Sequence, residues 1–224
     1  MRELDLDVLA PKIWTALLQT LQMVTVSFVL ATVLGLLLGL VLYATRRGAL
    51  LQNAVVFGVL NGVINVVRPI PFIILIVAIS PLTRVVVGTS IGTGAAIFAL
   101  TIAATFSIAR IAETNLVAVD PGTVEAGAAM GASPLRVLLT IVVPEALGPL
   151  TLGLTYIFVA LVDATAVAGL VGGGGLGNLA ITYGYQRFDT VVMVTVIVVI
   201  IVLVQAAQLL GNLVARRVMH ERTR

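Results

Sequence analysis

Few side chains in this sequence are equipped for chemistry, and their spacing narrows the options quickly. It holds no cysteine and one histidine, His220. Thiolate sites, disulfides, histidine-based metal sites and Ser–His–Asp triads therefore lack their parts, so no catalytic residue and no metal site is expected. Gly172-x-Gly174-x-x-Gly177 formally matches the dinucleotide-binding fingerprint. That motif works only between a strand and a helix of a βαβ unit, and no such unit surrounds it. There is also no Gly-Lys-Ser/Thr phosphate loop, so no ATP or other cofactor is expected on this chain.

Three sets of polar residues remain. Asn61, Asn65 and Arg68 fall at i, i+4 and i+7, one face of a helix; they either line a water-filled path or form structural hydrogen bonds. Asp163 stands alone in an apolar stretch. It faces a vestibule, pairs with Arg68, lies solvated near an interface, or serves as an ion-coupling acid. Gln205, Gln208 and Asn212 form a further polar face, of the kind that more often joins helices. The most patterned segment runs from Asp120 to Pro134. Asp120 can cap a helix whose first residue, Pro121, needs no amide hydrogen. Gly131 can end it, and Ser133-Pro134 can start another. The short helix between presents Ala126, Gly127, Ala129 and Met130, small residues around a flexible thioether, which suits close approach by another protein.

The elements that must position these residues are set by an unusual composition. Of 224 residues, 60% are hydrophobic and 10% charged, against about 25% charged in a soluble domain. The charges fall in clumps, leaving uncharged runs over Ile13–Thr45, Gly48–Val67, Val85–Ala109, Ala164–Gln186 and Val191–Ala215. Roughly 20 apolar residues of helix cross a hydrocarbon core of about 30 Å. The expected fold is an all-α polytopic membrane protein with five transmembrane helices. They lie within Ile13–Thr45, from Gln52 to about Pro81 with a kink or break at Arg68-Pro-Ile-Pro, from Gly92 to Arg110, from Leu147 to Ala168, and from Thr190 to Ala215. Residues 1–12 form an external segment, 13–215 the membrane domain with a non-spanning loop at 120–146, and 216–224 a tail. A second non-spanning stretch, Gly169–Asp189, contains Gly172, Gly173, Gly174, Gly175 and Gly177 and reads as a tightly turned external loop.

The net charge is +3, but the basic residues flank hydrophobic runs without forming a stripe or an aromatic platform, which argues against nucleic acid. With the N-terminus outside, Arg46, Arg47, Arg110, Arg136, Arg216, Arg217, Arg222 and Arg224 face the cytoplasm, against Arg2, Lys12, Arg84 and Arg187 outside. The positive-inside bias thus favours N-out, C-in.

Glu125-Ala126-Gly127, three residues, Gly131, nine residues, Ile141, one residue, then Val143-Pro144 resembles E-A-A-x3-G-x9-I-x-L-P, the cytoplasmic coupling loop of ABC importer permeases. Gly127 replaces an alanine and Val143 a leucine. Arg68-Pro-Ile-Pro-Phe-Ile-Ile-Leu, Pro81-Leu-Thr-Arg-Val-Val-Val-Gly-Thr-Ser-Ile-Gly and Gly-Gly-Gly-Gly-Leu-Gly look like the methionine-importer permeases over nearly the whole chain. One departure is Asp163-Ala164-Thr165-Ala166, where that group carries a Gly-Tyr-Ser-Ala-like stretch.

The resemblance implies the type I importer architecture in a bacterial cytoplasmic membrane, with Glu125, Ala126, Gly127, Met130, Gly131 and Pro144 as coupling residues. It implies two ATP-binding-cassette ATPase partners carrying ATP and magnesium, an external solute-binding protein, and methionine or a related amino acid as solute. Five helices enclose a gated pathway poorly, so a second copy is expected about a two-fold axis. Asn61, Asn65, Arg68 and Asp163 are the candidate pathway residues. The alternatives are a permease for another small solute such as a quaternary amine, an ion-coupled carrier using Asp163, and a non-transporting scaffold.

Overall fold

The computed structural model describes residues 6–49 and 51–220. Arg2, Arg222, Arg224 and the side chain of His220 lie outside the described residues. Within them every regular element is helical: α1 (Leu6–Thr45), α2 (Ala54–Val67), α3 (Phe72–Ala78), α4 (Ser80–Val87), α5 (Thr93–Val117), α6 (Pro121–Ala129), α7 (Pro134–Val137), α8 (Val143–Leu170), α9 (Gly175–Leu179) and α10 (Thr190–His220). Two π-helical turns complete the chain, π1 (Leu138–Val142) and π2 (Ala180–Tyr185).

Four helical stretches are long and apolar enough to cross a membrane: Leu9–Thr45, Thr93–Val117, Pro134–Leu170 and Thr190–Arg217. They become five if α2 and α3 count as one broken span. The break falls at Arg68–Pro71, as the two prolines require, since each lacks the amide that would continue the ladder. Pro71 immediately precedes α3 and leaves it without a side-chain cap. The chain then forms α4 as a separate short helix, which Gly88 ends in a left-handed conformation (φ 85°).

The spans overrun their expected limits. α1 begins at Leu6 and α10 continues to His220, so much of the segments set aside as N-terminal extension and tail is helical. α5 runs past Arg110 to Val117, which places Arg110 within the helix and not beyond its end. The helix expected from Leu147 starts at Pro134, because α7, π1 and α8 follow without a gap. Pro144 explains the wide turn. It has no amide hydrogen, and π1 sits directly ahead of it with the Val143 amide donating to the Leu138 carbonyl, the wider spacing that a π-turn provides.

The chain forms two compact units, and each long span contributes to both. One comprises residues 1–30, 70–103 and 158–208; its core gathers Ala16, Leu176, Leu179, Val192 and Val196. The other comprises residues 31–69, 104–157 and 209–224, packed around Ala112, Leu116, Val137, Val142 and Leu150 and around Leu42, Ile64 and Ala109. Many large apolar side chains, among them Val55, Val85, Val202 and Leu210, stay exposed, as expected of surfaces solvated by lipid or by further protein.

Close backbone approach sets part of this packing. A Cβ at Gly177 would collide with the backbone of Ala166, which cannot swing aside. Gly177→Ala is therefore expected to lower the thermal midpoint of the purified protein, overpacking of this kind costing about 1–3 kcal/mol. Gly58→Ala in α2, where an added Cβ meets nothing within 4 Å, should leave the midpoint unchanged or raise it, by helix propensity.

Candidate coupling helix and intramembrane polar cluster

The segment from Asp120 to Pro144 folds as its local chemistry dictates. Asp120 Oδ2 accepts from the Thr123 amide and hydroxyl, both at 3.3 Å, and Pro121 occupies the first helical position. Met130 closes α6, and Gly131 follows at φ 79°. Its amide donates to the Ala128 carbonyl at 3.0 Å. Nothing lies near a Cβ built on Gly131, so the constraint there is backbone conformation alone. Ser133 Oγ then accepts from the Arg136 amide at 3.4 Å and caps α7.

Gly127 does not share the outer face expected for it. It is buried, and a Cβ there would overlap Ile141 Cδ1 and press on Val137. Glycine lets α6 lie directly on α7 and π1. With that face used internally, Glu125, Ala126, Ala128 and Ala129 are left outward. Met130 is 80% exposed at the end of α6. Pro144 lies partly buried inside the helix, where it acts through π1.

Asn61 and Asn65 do share a face, but the group they meet is Arg110. One guanidinium nitrogen, Nη2, donates to Oδ1 of both asparagines at 2.7 Å. Nη1 donates to Glu113 Oε2 at 2.5 Å, an ion pair one turn along α5 with both side chains largely buried. The fork of donors on a planar guanidinium suits several acceptors at once, and the contacts tie α2 to α5. Arg110 and Glu113 were missed as site residues because Arg110 reads as a flanking charge; their i, i+3 spacing inside an apolar run was the available signal. Arg68, at the end of α2, is exposed, and Asp163 is exposed on α8.

The glycine loop is held from α1. Gly172, Gly174 and Gly175 have positive φ. The Gly175 amide donates to Gln19 Oε1 at 2.8 Å and the Leu176 amide to Thr20 Oγ1 at 2.9 Å. Amides at a helix start could otherwise cradle a phosphate; these are already occupied. Beyond the loop the stretch expected to be irregular is helical, as α9 and π2. Among the described residues no three potential metal ligands come together.

Residues 31–220 match the family described as binding-protein-dependent transport system inner membrane component. The chain belongs to this family. Over 206 residues and 92% of each chain, it is 43% identical to a Vibrio cholerae protein described as a probable D-methionine transport system permease, MetI. It is 39% identical over 203 residues, 91% of each chain, to the Bacillus subtilis methionine import system permease MetP. Among solved structures, the chain matches one of inward-facing conformations of the MetNI methionine ABC transporter with a TM-score of 0.89 and 40% identity. That match covers 97% of this chain and 99% of the other. The fold is thus that of an importer permease, and the pattern read from Glu125 to Pro144 runs from α6 through α7 and π1 to the start of α8.

The Arg110 cluster yields a sharp expectation. Arg110→Met strands the Glu113 carboxylate and both asparagines, and should cost about 3 kcal/mol in thermal unfolding, the lower end for breaking a buried pair. Adding Glu113→Leu to Arg110→Met should recover much of the loss, because no unpaired charge then remains.

Proposed function

We propose that this chain is the membrane-spanning subunit of an ATP-driven importer of methionine or a closely related amino acid. The observation that carries the reading is α6: a short helix capped at both ends, seated by Gly127, with its small-residue face and Met130 left outward. Such a surface fits a groove on a partner, where small side chains allow close approach and a methionine adapts to the wall. The similarity to methionine permeases over more than nine-tenths of their length supports the solute class.

On this reading two copies pair about a two-fold axis, each docking α6 into one ATP-binding-cassette subunit, while an external binding protein delivers solute on the opposite side. The N-terminus lies outside and the C-terminus in the cytoplasm of a bacterial cell. Even without Arg110, which is paired with Glu113, seven basic residues stand against four in favour of that orientation. The chain itself is not an enzyme. ATP and magnesium belong to the partner, and this chain contributes the conformational equilibrium that the partner biases. Asn61 and Asn65 act in this picture as a brace for α2, while Arg68 and Asp163 remain the candidates to meet solute.

The test is uptake of labelled methionine by vesicles holding the complete transporter and its binding protein. Uptake should require ATP. Glu125→Lys, or a bulky residue at Ala126 or Gly131, should reduce uptake at least tenfold while the protein still inserts. ATP-dependent activity with no methionine uptake would move the solute elsewhere. Uptake independent of any ATPase would discard the importer reading in favour of ion coupling at Asp163. Normal uptake by the three variants would remove α6 from the coupling role.

A further inference from the structure

A second polar site lies at the end of the molecule where α1 and α10 begin, well apart in sequence from α6. A cleft of about 230 Å³ opens between the first turns of α1 and the α9–π2 segment, lined by Lys12, Thr15, Gln19, Asn178 and Tyr183 among others. Two cations pack on the ring of Tyr183, one of the lining residues. Lys12 Nζ lies 4.6 Å from the centre of the Tyr183 ring and Arg187 Cζ lies 4.5 Å from it. The two positive charges are therefore within about 9 Å of each other, and among the described residues neither is paired with a carboxylate. The nearby Asp189 carboxylate is already engaged, accepting from the Val191 and Val192 amides at the start of α10. Cation–π contact holds the cations in place but does not neutralise them.

The surroundings identify the anion. Lys12 immediately precedes the uncharged run that begins at Ile13, and Arg187 precedes the one that begins at Val191, so both sit where spans meet the membrane–water boundary. Trp14, Tyr185 and Phe188 flank them and are 61%, 67% and 88% exposed, the aromatic composition found at headgroup depth. A soluble anion would not need that apolar rim. We infer that the cleft beside Lys12, Tyr183 and Arg187 is a binding site for the phosphate of an anionic phospholipid, drawn there by the two cations. Asn178 and Gln19 offer side-chain amides in the same cleft, and the acyl chains lie along the exposed aromatic side chains.

The test uses the full chain with its companion subunits, purified in detergent after exposure to equal phosphatidylglycerol and phosphatidylcholine, with retained lipid counted by mass spectrometry. Unmodified protein should retain phosphatidylglycerol at least fivefold over phosphatidylcholine. Lys12→Gln with Arg187→Gln should lose that preference, while Lys12→Arg with Arg187→Lys should keep it. Equal retention of both lipids by the unmodified protein would overturn the site, and that comparison decides the matter even if the glutamine pair does not assemble. Undiminished preference in the glutamine pair would overturn it as well. Displacement of the lipid by millimolar glycerol phosphate as readily as by phosphatidylglycerol vesicles would make it a soluble-phosphate site. Unchanged lipid preference together with weakened docking of the external binding protein would assign the two cations to a protein contact instead.

Discussion

Within a membrane, an amide or carbonyl that leaves a helix must find its partner inside the protein, because the hydrocarbon offers none. That requirement explains how this chain treats each irregularity. At the glycine loop, where α8 ends and α9 begins, Gln19 and Thr20 supply acceptors to the Gly175 and Leu176 amides from 156 residues away in sequence. Ahead of Pro144 the ladder widens into π1, with Val143 bonded to Leu138. At Asn53 the side chain accepts from the Val55 and Val56 amides and starts α2. Each of these three departures from regular helix has a substitute partner, and the positions of those partners help to fix which turns touch which.

The same rule governs side chains. Arg110 brings a full charge into the interior of α5, and the chain answers with a carboxylate one turn along the helix and two asparagines on α2. The Arg110 cluster and the small-residue contacts of Gly35 and Gly39 with α5 work on different length scales. The glycines permit backbones to come close, while the guanidinium dictates which faces do so. Dispersion and hydrogen bonding drive helix association in lipid, where apolar burial from water contributes little.

How much of this was legible in the sequence follows from whether the cause is local. The spans are legible because hydrocarbon thickness acts on composition directly. The Asp120 cap, Pro121 at the first position and the left-handed Gly131 are legible because each depends on a few neighbouring residues. The inward turn of Gly127 is not, since it depends on Ile141 lying opposite. Asn61 and Asn65 declare a shared face by their spacing, but their partner lies 45 to 49 residues further on. The limits of α5 and α8 differ from those expected for a physical reason: charge and proline mark where a helix is disfavoured in lipid, yet pairing at Arg110 and a wide turn before Pro144 remove the penalty and let both helices continue.

Gly127 has a mechanical meaning. By seating α6 on α7 and π1 it makes those parts a single stiff head, with no slack between the surface at Ala126 and the start of the long helix. At the join to α8 stands Pro144, which contributes no amide to the ladder. A displacement applied to the head therefore reaches the start of α8 directly.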